Sequence, residues 1–71
     1  MKFIKYTNGF ITWIEGPPRR KVWIRRSEDT GFWEAVEMNK FDNPITGLRG
    51  SGRSRRDAVL NLQRALEESR P

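Results

Sequence analysis

The sequence predicts an α+β fold: a small antiparallel β-sheet of three or four strands, followed by one C-terminal α-helix packed on one of its faces. Three observations carry that prediction. Short runs rich in β-branched and aromatic residues, punctuated by turn residues, fill positions 3–38, which is strand chemistry. A single run of helical apolar period follows, from about residue 55 to residue 69. The chain is 71 residues long, so residues 1–71 are expected to form a single domain.

The elements follow in order. Phe3-Ile4-Lys5-Tyr6 and Phe10-Ile11-Thr12-Trp13-Ile14 flank Asn8-Gly9, a dipeptide suited to the left-handed backbone of a tight hairpin. One long bent first strand is the alternative, and it would lower the strand count to three. Gly16-Pro17-Pro18 stops the second arm, because consecutive prolines cannot donate to a ladder. Lys21–Arg26 is the next strand, with Val22 and Ile24 on one face and Trp23 and Arg25 on the other. Ser27–Gly31 has turn chemistry, and Phe32–Met38 is the following strand. Asn39–Gly52, with Asp42, Asn43, Pro44 and three glycines, reads as mostly loop.

The helix begins after Ser54, an N-cap residue, with Asp57 three positions on as in a capping box. Ala58, Val59, Leu62, Ala65 and Leu66 fall on one stripe, which is the surface expected to meet the sheet. Leu60 and Arg64 point nearly opposite. One helix covers only one sheet face. All of the aromatic residues lie before residue 42, and apolar residues occupy both faces of several strands. Some aromatics are therefore expected on the second face, either exposed there or wrapped by loops.

Composition narrows the function. The chain has no Cys and no His, which removes the usual thiol nucleophile, the commonest general base and the commonest transition-metal ligand. The carboxylate pairs Glu28-Asp29 and Glu67-Glu68 sit among turn and helix-surface residues. A non-enzyme without metal or cofactor is expected. No run is long and apolar enough to span a membrane, and Met1–Phe10 lacks a secretory apolar region. The cytoplasm is the expected compartment.

Formal net charge is +5, which favours acidic partners: nucleic acid, an anionic membrane, or a protein groove built to hold nucleic acid. Arg19-Arg20-Lys21 and Arg25-Arg26 surround Trp23 with no acidic residue between positions 19 and 26. Interleaved cations and an aromatic ring suit phosphate contact, stacking, or an acidic protein groove. A basic edge strand that resists aggregation is the plainer alternative. Gly47–Ser54 has the spacing of a phosphate loop, with Arg53 where a lysine belongs, but the chain is too short for the parallel sheet such loops need. What remains is a candidate anion site at the helix start, made by Arg53, Arg55 and Arg56.

Gly50-Ser51-Gly52-Arg53-Ser54-Arg55-Arg56-Asp57-Ala58 resembles the start of the last helix in double-stranded-RNA-binding domains. That resemblance implies phosphate contacts at Arg55 and Arg56. HicB-type antitoxins are similar in having a sheet followed by an Ala/Leu-rich helix. A second resemblance covers both chain ends. Met1-Lys2-Phe3-Ile4-Lys5-Tyr6, together with Gly47-Leu48, Gly50-Ser51-Gly52, Arg55 and Asn61, resembles small phage anti-CRISPR proteins of the type I-F inhibitor kind. It implies a non-catalytic protein in the cytoplasm of an infected bacterium. It also implies, as partners, subunits of a CRISPR surveillance complex, bound so that target DNA is kept out, and it places Tyr6 on the binding face. The expected partner-binding residues are Tyr6, Arg19, Arg20, Trp23 and Arg25. The alternatives are a small basic nucleic-acid-binding module and an antitoxin.

Overall fold

A computed structural model of the chain describes residues 1–16, 19–41 and 43–69, the side chain of Thr46 excepted. Pro17 and Pro18, read as the stop of the second strand, and Asp42, read as loop, lie outside the described residues. The described residues form β1 (Ile4–Tyr6), β2 (Gly9–Ile14), β3 (Arg20–Arg26), β4 (Trp33–Met38), β5 (Pro44–Gly52) and α1 (Arg55–Glu68). The strands make one antiparallel meander in the order β1-β2-β3-β4-β5. The α+β class and the single C-terminal helix on one face are as predicted. The strand count is five rather than three or four, because Pro44–Gly52 is a strand and not a loop.

The glycines misled that reading for a physical reason. A Cβ at Gly50 would land on the Ala58 carbonyl oxygen and the Leu62 nitrogen, and one at Gly52 would meet Asp57 and Ala58. These residues let α1 lie directly on the strand backbone, so they mark a close approach rather than a turn. Asn61 Nδ2 donates to the Ser51 carbonyl at 2.6 Å and ties the helix to the same strand.

The first hairpin forms, with a small correction to its turn. Tyr6 pairs with Gly9, so the turn residues are Thr7 and Asn8, and Asn8 takes the left-handed φ of 58°. Gly9 is a ladder residue, needed because a side chain there would strike the Ile24 carbonyl and the Trp23 indole. Ser27–Gly31 is the expected turn, closed by Gly31 N donating to Ser27 O at 2.8 Å.

The helix begins as its sequence specifies. Asp57 N donates to Ser54 Oγ at 3.1 Å, which satisfies one of the free N–H groups of the first turn. Ala58, Val59, Leu62 and Leu66 are buried, Ala65 is half-buried and Leu60 is exposed. The stripe lies over β5 and β4 and reaches β3. There it meets Val22, Ile24, Ala35 and Ile14, with Phe3, Trp33 and Leu48 at the margin. Burial of each aliphatic side chain contributes about 1.5–3 kcal/mol before chain entropy is set against it.

Among the described residues two polar residues, Thr12 and Glu37, are buried on this covered face, and each is paired. Thr12 Oγ1 donates to the Lys2 carbonyl at 2.6 Å, which folds the N-terminal segment over β2. Glu37, only 7% exposed, accepts from Arg20 Nη1 at 2.9 Å on both of its carboxylate oxygens.

Candidate functional site

Among the described residues no helix lies on the opposite face of the sheet, and strand pairing decides what stands on it. Ile4 pairs with Ile11, Ile11 with Trp23, Trp23 with Val36, and Val36 with Arg49. Cross-strand partners share a face, so these residues form one row across all five strands. Trp13, Lys21, Met38 and Pro44 make a second row. Tyr6 and Gly9, with Arg25, Glu34 and Ser51 in line beyond them, make a third. The open face is thus an apolar and aromatic strip with Lys21, Arg25 and Arg49 on it, against Glu34, the one carboxylate on its strands among the described residues.

Ile11 and Met38 are only 6% and 5% exposed although α1 lies on the other face. Their cover comes from the face itself, where Trp13 and Trp23 are the large neighbours, both half-buried. Each ring carries a cation. The Arg19 guanidinium is 5.1 Å from the Trp13 ring centroid, and that of Arg25 is 5.5 Å from the Trp23 ring centroid. Arg49 reaches Glu34 at 3.7 Å, an exposed pair worth little by itself. The indole N–H of Trp23 is buried and has no acceptor among the described residues.

Two hollows lie beside Trp23. One, of about 160 Å³, is lined by Trp23, Arg25, Glu34, Val36, Pro44, Gly47 and Arg49. The other, of about 300 Å³, is lined by Tyr6, Thr7, Asn8, Trp23, Met38 and Pro44. The first exists because β4 and β5 lose register between Val36 and Met38, where several β5 residues oppose one residue of β4.

The residues singled out in the sequence are therefore divided among three places. Tyr6, Trp23 and Arg25 do share the open face, with Arg19 at its end over Trp13. Arg20 does not; it lies on the helix side, its side chain 22% exposed and bound to Glu37. The edge-strand role considered for Arg19–Arg26 fails, because β3 is the central strand of five. Arg53 and Arg56 are exposed at the start of α1. Arg55, placed beside them in sequence, turns inward: its guanidinium sits 4.3 Å from the Phe10 ring centroid, 5.1 Å from Phe3 and 5.8 Å from Trp33. That cage joins the N-terminal segment, β2, β4 and α1 around one cation, which is a structural role.

Sequence reading did not join Trp13 and Lys21 on one surface, although it named Lys21 in the basic cluster around Trp23, and it missed Arg49, Pro44 and Gly47. Alternation along β2 and β3 could have found the first two, since Trp13, Lys21 and Trp23 share a parity across a hairpin. Nothing local could have found the last three, because their segment reads as loop.

No cluster of three or more acidic, Cys or His residues able to hold a metal occurs among the described residues. Among them, no helix is long and apolar enough to cross a membrane. Comparison with protein-family models, curated proteins and solved structures finds no match to this chain.

Proposed function

We propose that this chain is a non-catalytic binding domain that works by occupying a partner's surface with the open face of its sheet. Its proposed target is the nucleic-acid-handling surface of a bacterial CRISPR surveillance complex. The observation that carries the contact face is the uncovered strip of Tyr6, Trp13 and Trp23 with arginines stacked on two of the rings. Tyr, Trp and Arg are the side chains that dominate protein interfaces energetically. The target rests on the resemblance of both chain ends to small anti-CRISPR proteins, which also places Tyr6 in the contact, where it is half-buried on the open face.

The mechanism is steric. Lys21, Arg25 and Arg49 steer the chain toward acidic groups on that surface, and the rings hold it there against incoming DNA. The test is target-DNA capture by a purified type I-F surveillance complex with and without the chain. Capture is expected to fall to background, and Tyr6→Ala is expected to restore it while thermal unfolding stays nearly unchanged. Unimpaired capture at saturating protein removes the proposed target. The isolated chain is expected to leave duplex DNA unbound at physiological salt. Tight duplex binding that is lost in the Arg53→Gln/Arg56→Gln variant would assign the function to direct phosphate contact instead.

A further inference from the structure

We infer that the two hollows flanking Trp23 form one split groove that takes an acidic polypeptide segment, with an apolar side chain seated beside Trp23 and carboxylates held by Arg25 and Arg49. The inference rests on the open face being the contact face, and it specifies the chemistry of what docks there. Trp23 and Pro44 line both hollows, so the two are halves of one depression running from the hairpin turn at Tyr6 to the bulge at Gly47.

Charge selects the sign of the occupant. Arg25 and Arg49 stand at the first hollow against Glu34, the one carboxylate in its lining, and Lys21 extends the positive strip toward Trp13. Arg25 also lines a neighbouring hollow with Glu28 and Asp29, so Arg49 is the cation left to set the sign. The side chain of Arg49 is 62% exposed and its pair with Glu34 is long at 3.7 Å, so a partner carboxylate can recruit it without breaking a tight bond. Ring geometry argues for a polypeptide over a nucleic acid. Single strands bind by stacking bases on open ring faces. Here both tryptophans of the strip already carry a guanidinium over a face, and the depression lies beside the Trp23 ring.

Gly47 supplies a clean test. A Cβ built there meets nothing within 4 Å, and its φ lies outside the left-handed region, so a side chain fits the backbone at the margin of the first hollow. The full-length chain, isotope-labelled, is titrated with a short synthetic peptide, a leucine flanked on both sides by glutamates. Its counterparts carry lysines in place of the glutamates, or are replaced by a short oligothymidylate. The acidic peptide is expected to shift the Trp23 indole and the Arg25 and Arg49 side-chain resonances saturably, and the lysine peptide to bind at least about tenfold more weakly. Gly47→Phe should abolish the shifts while amide resonances of α1 and the covered face stay in place. Arg49→Gln, which adds no bulk, should weaken the acidic peptide several-fold and leave the lysine peptide unaffected.

Equal binding of the two peptides, preference for the oligothymidylate, broadening that depends on the chain's own concentration, or no saturable shift with any probe would each overturn the groove. The proposed target and the groove fail separately. A chain that still blocks DNA capture in the Gly47→Phe form uses another part of the face. A groove that takes the acidic peptide in a chain that does not block capture leaves the groove standing and removes the target.

Discussion

The two faces of the sheet bury apolar surface by opposite means. On the covered face, backbone meets backbone: Gly50 and Gly52 leave no room between β5 and α1, and Val22, Ile24, Ala35, Ala58, Val59 and Leu62 lose all exposure to water. On the open face, Ile11 and Met38 are buried by half-exposed tryptophans with arginines over their rings. The first arrangement is an interior with the density of a crystal, where one methyl group more or less is felt. The second is a layer one side chain thick, whose upper surface stays available. A chain this small has apolar residues for two faces but only one helix, and the difference between the faces follows from that shortage.

The comparison can be broken most forcefully at the centre of the covered face. Leu62→Ala is expected to cost about 2–5 kcal/mol, since Leu62 is fully buried between helix and sheet. A urea melt displaced by less than about 1 kcal/mol would mean that the helix does not seal that face.

A pair of glycines on the same strand sharpens the contrast. Gly50→Ala adds a methyl where the helix backbone already stands and is expected to cost about 1–3 kcal/mol or more, by forcing α1 outward. Gly47→Ala adds the same methyl into open space and should change stability by no more than about 0.5 kcal/mol. Equal effects in denaturant melts would contradict the assignment of close packing to one end of β5 and a hollow to the other.

At the rim between the faces, Arg55→Ala should cost about 1–2 kcal/mol, because the partly buried guanidinium touches three rings. Arg55→Lys should recover part of that, whereas Arg56→Ala, on the exposed side of the same turn, should have little effect. If the two arginines prove interchangeable in thermal melts, Arg55 is a surface cation after all. The smallest effect is expected at Trp23→Phe. It removes an N–H that is buried without an acceptor among the described residues, so the lost ring area is offset and stability should stay within about 1 kcal/mol of the parent.

Much of this arrangement was legible locally. The helix start at Ser54 and the stripe from Ala58 to Leu66 depend on interactions within a few residues, and they stand where the pattern placed them. The same is true of the alternation along β3, which puts Val22 and Ile24 against the helix and Trp23 and Arg25 opposite. The candidate surface is half legible: the sequence points to Tyr6, Trp23 and Arg25 but groups Arg20 with them, although Arg20 lies on the other side of β3. Parity alone would have separated Arg20 from Trp23 and Arg25, and its partner Glu37 lies a whole strand away.

What the sequence determined by itself is what short-range chemistry controls. That includes the class of fold, the turn at Ser27–Gly31, the capped helix and its buried stripe, the net positive charge, and the want of thiol and imidazole groups. Only the tertiary structure decided the rest. It made Pro44–Gly52 a strand, because its glycines answer to a helix that packs on them and not to their neighbours in the chain. It turned Arg55 into the centre of a cage whose rings come from residues 3, 10 and 33. It also opened a hollow where two strands slip register. Each of these depends on contacts between residues far apart in sequence, and such contacts exist only after the chain has closed on itself.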